Sequence, residues 1–328
     1  MPKLHLKDLN VAGKRVLMRV DFNVPQNKDG SISSDARIRA ALPSIEFVRD
    51  QGGKLILMSH LGRPKNPGKA KTEDERAAIE RENARYTMDP VVERLRELAG
   101  GKVTKMNQVV GPEVENAVAD MAPGDIILLE NTRLHPGETK NDPKLAEQLA
   151  KLGDVYVTEA FGAVHRAHAS TEGVAHHFTE RAAGFLVAAE LEYFDKILHR
   201  PERPLLAIIG GAKVSEKINV IDNLLDICDT LIIGGGMCFT FWHAQGLEIG
   251  DSLLDEPGIP VAKAALAKAN EKKVEFLLPI DAIVADDFAE TANTKVVKAG
   301  EIEPGWRGMD IGPETEKLFS EAITPART

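Results

Sequence analysis

The sequence predicts an α/β protein with two doubly wound parallel sheets, one in each half of the chain, joined by a helix and a short link. Three observations carry this. Short apolar runs alternate with stretches of helical periodicity through both halves, the pattern of parallel strands with helical crossovers. Several runs in the first half break off into segments holding arginine or histidine, and two in the second half break off into glycines. Between the halves, His199-Arg200-Pro201-Glu202-Arg203-Pro204 interrupts the pattern with two prolines.

In chain order, 14–20 (KRVLMRV) reads as the first strand, ended by Asp21-Phe22-Asn23-Val24-Pro25. Ser33 or Ser34 can cap the following helix, with Asp35 in its first turn, Ile38, Ala41, Leu42, Ile45 and Val48 as its buried stripe, and Gly52-Gly53 closing it. Strands are expected at 54–59 (KLILMS), 125–129 (DIILL) and 154–158 (DVYVT), with helices at about 89–99 and 143–152. Ligands of such open sheets bind beyond the carboxyl ends of the strands. Those ends carry Asp21 and Asn23, then His60-Leu61-Gly62-Arg63, then Arg133, then His165 and Arg166, with Arg37 close in sequence to the first. Guanidinium groups converging on one mouth repel unless an anion sits among them, and their forks suit carboxylate and phosphate. Taken singly, an arginine after a strand is usually a solvated loop charge, a histidine there usually a structural hydrogen-bonder, and Asp21 an arginine's partner rather than a base. The segment 65–87 is rich in both charges and poor in large apolar residues. It reads as a solvated excursion with a short helix over 73–84.

The stretch 183–198 is helical, repeating Val187, Leu191, Phe194 and Leu198. It leads into the proline-bracketed link, which sets the boundaries at 1–185, 186–204 for the hinge helix and linker, and 205–328. The second half opens with an apolar run at 205–209 that suits a buried parallel strand. Gly210 and Gly211 follow, then a helical pattern of Val214, Ile218, Ile221 and Leu225. A strand, a glycine turn and a helix N-terminus make a phosphate cradle. Lys213 and Lys217, four apart, would share one helix face, and an anion would relieve their repulsion. An ordinary turn with solvated lysines fits the same residues. Neither GxxxxGK[ST] nor GxGxxG is present. A strand at 230–233 precedes Gly234-Gly235-Gly236, which suits close approach of a flat ligand such as a nucleobase or simply a tight junction. A helix at about 260–272, a strand at 274–278, a short apolar piece at 281–284, a glycine-punctuated loop at 308–313 and a helix from about 314 complete the chain.

The net charge of −9 gives no global pull toward nucleic acid or an anionic membrane, so any anion site is a local basic pocket. An aromatic content of 5% leaves few stacking surfaces for a nucleic acid. Cys228 and Cys238 have the surroundings of buried free thiols. The N-terminus has no apolar signal core, and no apolar run reaches the about 20 residues of a transmembrane helix. A soluble, cytoplasmic protein is expected. A nicotinamide-dependent dehydrogenase is disfavoured by the missing dinucleotide fingerprint.

RVDFNVP (19–25), DARIRAALP (35–43), SHLGRP (59–64), LLENTRLHPGE (128–138), FGAVHRAHAS (161–170), GGAKVSEKINVI (210–221) and GGGM (234–237) together resemble the phosphoglycerate kinase family, in the family's order and over essentially the whole chain. The resemblance implies two Rossmann-like domains. It implies reversible phosphoryl transfer between 1,3-bisphosphoglycerate with ADP and 3-phosphoglycerate with ATP, with Mg2+ accompanying the nucleotide, in a monomer. It assigns Asp21, Phe22, Asn23, Arg37, His60, Leu61, Gly62, Arg63, Arg133 and Arg166 to the phosphoglycerate. It assigns Gly210, Gly211, Lys213 and Lys217 to the nucleotide phosphates, with Gly234, Gly235, Gly308 and Met309 about the base. Arg37 and Lys213 become the catalytic residues, approaching the transferred group from opposite domains as the hinge closes. Family members continue beyond Thr328, through a segment carrying a metal-binding aspartate. The resemblance therefore implies an incomplete second domain with no metal ligand of its own. It leaves as the alternative a catalytically impaired fragment, or a non-catalytic anion binder of the same fold.

Overall fold

The run RVLMRV forms β1 (Arg15–Val20), buried on both faces from Val16 onward, as a central strand of a parallel sheet requires. The computed structural model describes residues 4–328. Beyond β1, the first part of the chain runs through α1 (Ala36–Asp50), β2 (Lys54–Met58), α2 (Glu73–Asn83), α3 (Asp89–Ala99), β3 (Val103–Lys105), α4 (Pro112–Ala119), β4 (Ile126–Leu128), α5 (Pro143–Ala150), β5 (Val155–Glu159), α6 (Phe161–Val164), β6 (Arg181–Ala183) and α7 (Phe185–His199). The six strands pair in parallel in the order β3-β4-β2-β1-β5-β6.

Side-chain alternation builds a core on each face of this sheet. Val16, Met18 and Val20 pack with Ile38, Ile45 and Val48 of α1 and Val91 and Leu95 of α3. Leu17 and Ile56 point the other way, into a core with Val114 and Val118 of α4 and Leu145 and Leu149 of α5. Each fully buried aliphatic side chain contributes about 1.5–3 kcal/mol, so these two layers hold the strand ends rigid.

The expected strands and helices of this half are found within one or two residues. The edge strands β3 and β6, three residues each, and the helix α4 were not anticipated. The N-cap of α1 is Asp35 itself rather than Ser33 or Ser34. Its carboxylate binds Arg39 Nε at 3.0 Å and Arg94 Nη2 at 2.7 Å instead of capping amides. The 65–87 excursion is anchored at both ends: Asn83 accepts from Lys65 N at 2.9 Å and donates to Lys65 O at 2.7 Å, while Tyr86 O accepts from Asn131 Nδ2 at 2.9 Å. The N-terminus of α7 is held by Ser44 Oγ on Phe185 N (2.9 Å) and Glu159 Oε1 on Leu186 N (3.0 Å). Of its expected stripe Val187 is buried, but Phe194 and Leu198 are exposed.

The chain divides into two units, Met1–Tyr193 and Phe194–Thr328, with the division inside α7. The second unit contains β7 (Leu206–Gly210), α8 (Ile218–Leu225), β8 (Thr230–Gly234), α9 (Met237–Ala244), β9 (Glu248–Ile249), α10 (Ile259–Lys272), β10 (Glu275–Leu277), β11 (Asp281–Ala285), β12 (Thr294–Lys298), β13 (Glu301–Ile302), β14 (Arg307–Ile311) and α11 (Pro313–Ile323). Strands β10-β8-β7 are parallel, and a separate antiparallel sheet runs β12-β11-β14. A core of Leu205, Ile209, Leu231 and Ile233 with Ile221, Leu225 and Ala265 covers one face of the parallel sheet.

Three expectations are corrected here. The run at 205–209 is not buried throughout: β7 is an edge strand whose helices cover only the Leu205 and Ile209 face, leaving Ile208 59% exposed. The segment 308–313 is not simply a loop, because Gly308, Met309, Asp310 and Ile311 belong to β14. Lys213 and Lys217 do not share an α-helical face. Lys213 lies in the loop, a 3-10 turn spans Ser215–Lys217, and α8 starts only at Ile218, which is exposed rather than part of the buried stripe. The cysteines are free and buried, as expected, and burial pushes their thiols up, to about 11 for Cys228 and about 12 for Cys238. Among the described residues no helix is long and apolar enough to cross a membrane.

Candidate active site

In the first sheet the winding direction reverses between β1 and β5, so the crevice of an open α/β sheet lies beyond their carboxyl ends. The chain leaving β1 turns at Asp21, which accepts from Asn23 N at 3.2 Å and forms an ion pair with Arg37. Phe22 is buried, its amide fixed on Ser59 Oγ at 2.8 Å. Asn23 Oδ1 accepts from Gly62 N at 2.7 Å, tying the β1 and β2 ends together. Leu61 is buried and its amide donates to Asn131 Oδ1 at 3.0 Å. Gly62 has φ +62°, and a Cβ there would lie 2.3 Å from the Tyr86 ring, so only glycine fits under the excursion. Its carbonyl accepts from Arg133 Nη1 at 2.8 Å. Asn23, Pro25, Ser34 and Arg37 border an open hollow of about 540 Å³. Lys65, Lys69, Arg133, His135 and Lys140 border another of about 530 Å³.

The charges at this mouth act on one another. Burial, then the positive charges of Arg166 and Arg19, hold Arg133 below its ordinary pKa, with Arg63 adding to them and Glu138 opposing. Arg133 Nε is buried and has no hydrogen-bond partner among the described residues. Burial, then Arg19, Arg133, Arg166 and His168, push the His60 imidazole down to about 2, so it is neutral at any physiological pH. The structure thus brings Arg63, Arg133, Arg166 and His60 within one another's field, with the Asp21–Arg37 pair linked to them through Asp21 and Arg19. Such a cluster is stable with an anion among its members and strained without one.

Sequence reasoning missed the layer beneath. Arg19 in β1 is 1% exposed and Glu138 is fully buried. Ser170 Oγ accepts from Arg19 Nε at 2.9 Å and donates to Glu138 Oε1 at 2.6 Å. His168, rather than the exposed His165, is the histidine beside this layer, its Nδ1 4.0 Å from Glu138. The available signal was an arginine on a core-facing position of an otherwise apolar strand, which is tolerated only when paired.

In the second unit the ends of β7 and β8 meet. Gly211 (φ +149°) and Gly235 (φ +64°) abut so closely that a Cβ on Gly235 would lie 2.9 Å from Gly211 N. Met237 N donates to Gly211 O at 2.8 Å, locking the two turns. Gly210 and Gly234 pair in the ladder just before them. Lys217 folds its Cε toward Gly211. Lys213 is 60% exposed and 3.6 Å from Glu216, a weak surface pair. Asp255 accepts from Ser215 N at 2.8 Å, and that bond, with Lys213 nearby, keeps its carboxyl below the usual range. Gly235, Gly308 and Met309 line one cavity of about 60 Å³, with Phe239 as its floor beneath Gly308. The expected nucleotide residues therefore fall at the turns after β7 and β8 and in this cavity.

The sequence model of the family described as phosphoglycerate kinase matches residues 6–328. The chain belongs to the phosphoglycerate kinase family. It is 53% identical to the phosphoglycerate kinase of Moorella thermoacetica and 49% identical to that of Chloroflexus aggregans, covering 100% of this chain and 79% of each relative. The fold is similar to the structure of phosphoglycerate kinase from Coxiella burnetii (TM-score 0.80, 36% identity, 100% of this chain and 79% of that one). It is also similar to that of the Pyrococcus horikoshii enzyme (TM-score 0.78, 26% identity, 99% and 79%). The chain is accordingly a glycolytic kinase, and nothing in these likenesses favours the non-catalytic alternative.

Proposed function

We propose that the mouth of the first unit holds 3-phosphoglycerate or 1,3-bisphosphoglycerate, and that the glycine turns of the second unit hold the phosphates of ATP or ADP. The convergence of Arg63, Arg133 and Arg166 around a neutral His60, with a buried Arg133 Nε that has no partner among the described residues, carries this reading. Arg63, Arg133, Arg166, His60 and Asn23 bind the phosphoglycerate, while Asp21 aims Arg37. The backbone of Phe22, Leu61 and Gly62 keeps the three loops in register. Gly210, Gly211, Gly234 and Gly235 let the nucleotide approach the backbone, Lys217 steadies its phosphates, and Gly308 and Met309 flank the base.

The chemistry follows from charge. A transferring phosphoryl group spreads negative charge over its oxygens, so positioning and electrostatic stabilisation do most of the catalysis. Arg37 and Lys213 supply that stabilisation. The acceptor carboxylate is already ionised and needs no general base. Magnesium is read as accompanying the nucleotide, as MgATP or MgADP. We assign 1–185 to the phosphoglycerate, 186–204 to the link and 205–328 to the nucleotide. We read the protein as a cytoplasmic monomer acting without nucleic acid or membrane, supported by the net charge of −9.

The test is a coupled assay with 3-phosphoglycerate and MgATP beside an Arg37→Ala variant, with 3-phosphoglycerate binding followed by calorimetry. Turnover that collapses in the variant while binding survives supports the reading. A native chain that does not bind 3-phosphoglycerate overturns it.

A further inference from the structure

The imidazole of His60 has two nitrogens and unequal surroundings. Its Nδ1 lies 3.0 Å from Arg19 Nη2. A guanidinium only donates, so at this contact Nδ1 must carry its lone pair. A proton on Nδ1, in either the other tautomer or the imidazolium, would aim N–H at N–H. The proton therefore sits on Nε2. That nitrogen has no hydrogen bond to the described residues and is not among the buried polar atoms lacking a partner, so it keeps some contact with solvent.

Arg19 cannot turn away. Its Nε donates to Ser170 Oγ at 2.9 Å and its Nη1 donates to Val20 O, leaving Nη2 for His60. Ser170 passes the interaction on to Glu138, whose Oε2 also accepts from Ser170 N at 3.0 Å and whose Oε1 accepts from Thr132 Oγ1 at 3.2 Å. The guanidinium is thus orientated by two fixed acceptors and offset by a buried carboxylate. The other charged or titratable groups facing His60 are Arg133 from the turn after β4, and Arg166 and His168 from the segment after β5. The positive ones disfavour the imidazolium, so nothing around the ring competes with the arrangement that Arg19 imposes.

We propose that Arg19 is a positioning residue that fixes His60 as the Nε2–H tautomer, so that the ring offers a bound phosphoglycerate one N–H donor. The proposal rests on the reading of this mouth as the phosphoglycerate site. An imidazole free to exchange tautomers would present a lone pair to an anion for part of the time, and one free to protonate would make affinity depend on pH.

The experiment is two-dimensional NMR of the full chain with 15N-labelled histidine, His60 being identified by the signals lost in His60→Gln. In the native chain one ring nitrogen of His60 should read as protonated Nε2 and the other as bare Nδ1, unchanged from about pH 5.5 to 8. In Arg19→Lys the fork is lost. The His60 signals should then average between the two tautomers, and 3-phosphoglycerate should bind about three- to tenfold more weakly. Arg19→Met combined with Glu138→Gln keeps the buried layer neutral and should give the same NMR result if Arg19→Lys does not fold. A native His60 that titrates near its ordinary value, or that carries its proton on Nδ1, overturns the proposal. So does a folded Arg19 variant whose His60 signals stay those of a single tautomer. Failure of the native chain to bind 3-phosphoglycerate, with His60 behaving as described, defeats the reading of the mouth and leaves the Arg19–His60 relation standing.

Discussion

Arg133→Met separates what the cationic mouth does for binding from what it does for folding. Among the described residues the guanidinium makes one hydrogen bond, from Nη1 to Gly62 O, and keeps Nε buried without a partner. It also faces Arg166, Arg19 and Arg63. Losing the hydrogen bond costs about 0.5–1.5 kcal/mol, while removing an unsatisfied donor returns about 1–3 kcal/mol and the like-charge repulsion is relieved as well. Methionine keeps the apolar stem, so the net change in stability should be within about 1 kcal/mol, or a melting shift of no more than about 4 °C. With 3-phosphoglycerate bound, the same substitution removes charge-assisted bonds of about 1.5–3 kcal/mol, which weakens binding about 10- to 150-fold. Calorimetric titration gives the affinity, and thermal unfolding with and without the ligand gives the stability. The ligand-induced rise in melting temperature should shrink in the variant, because that rise follows the ratio of ligand concentration to dissociation constant. A variant destabilised by more than about 3 kcal/mol that binds within twofold of native would refute the reasoning.

Two further outcomes follow from single contacts. A Cβ at Gly308 would lie 2.0 Å from the Phe239 ring, so Gly308→Ala should cost about 1–3 kcal/mol of stability and weaken nucleotide binding. Adding Phe239→Leu should restore the stability, and an unchanged melting curve for Gly308→Ala alone would show that the ring simply moves aside. Burial raises the pKa of Glu159 above its usual 4.5, against the pull of the Ser44 hydroxyl, which donates to Oε1 at 2.6 Å, while Oε2 is buried without a partner among the described residues. A carboxyl whose folded pKa is raised contributes stability below its unfolded pKa and loses it as the pH climbs through the folded value. Glu159→Gln should therefore flatten the fall in stability as the pH climbs above about 4.5, and be the more stable form in alkaline solution. Equal urea midpoints for the two proteins both below about pH 4.5 and in alkaline solution would contradict this.

What could be read from the sequence divides along physical lines. The strands β1, β2, β4 and β5 were legible because central parallel strands must be apolar on both faces, and their ends were legible because arginine and histidine interrupt such runs. The three-residue edge strands β3 and β6 were not, since three residues carry no period. In the second unit β14 was hidden by Gly308, a poor strand former kept there by the Phe239 ring. The helical reading of Lys213 and Lys217 failed for a different reason. Their spacing suits a helix, but the Asp255 carboxylate, 40 residues on, holds Ser215 N and stabilises a tighter turn first. Of the site residues, those that project from strand ends were found and those beneath them were not. Arg19, Ser170 and Glu138 bind one another rather than solvent, and a pairing between β1 and segments more than a hundred residues away leaves no local pattern.

On the proposed reading the two units hold anions by opposite means, and this sets how each should fail. The first uses side-chain charge: its guanidiniums repel one another in the free state, and the buried Glu138 beneath them offsets part of that repulsion. Its affinity should therefore fall with ionic strength, because exposed members such as Arg37 and Arg63 are screened over about 8–10 Å at ordinary salt. The second uses close backbone approach: Gly211 and Gly235 abut at a distance that excludes any side chain. Amide donors fixed by a ladder and by the Met237–Gly211 hydrogen bond do not depend on salt in the same way, but a single added methyl group at Gly235 would push the two turns apart. Binding in the first unit is thus vulnerable to changes in charge with the fold intact, and binding in the second to changes in shape with the charge intact.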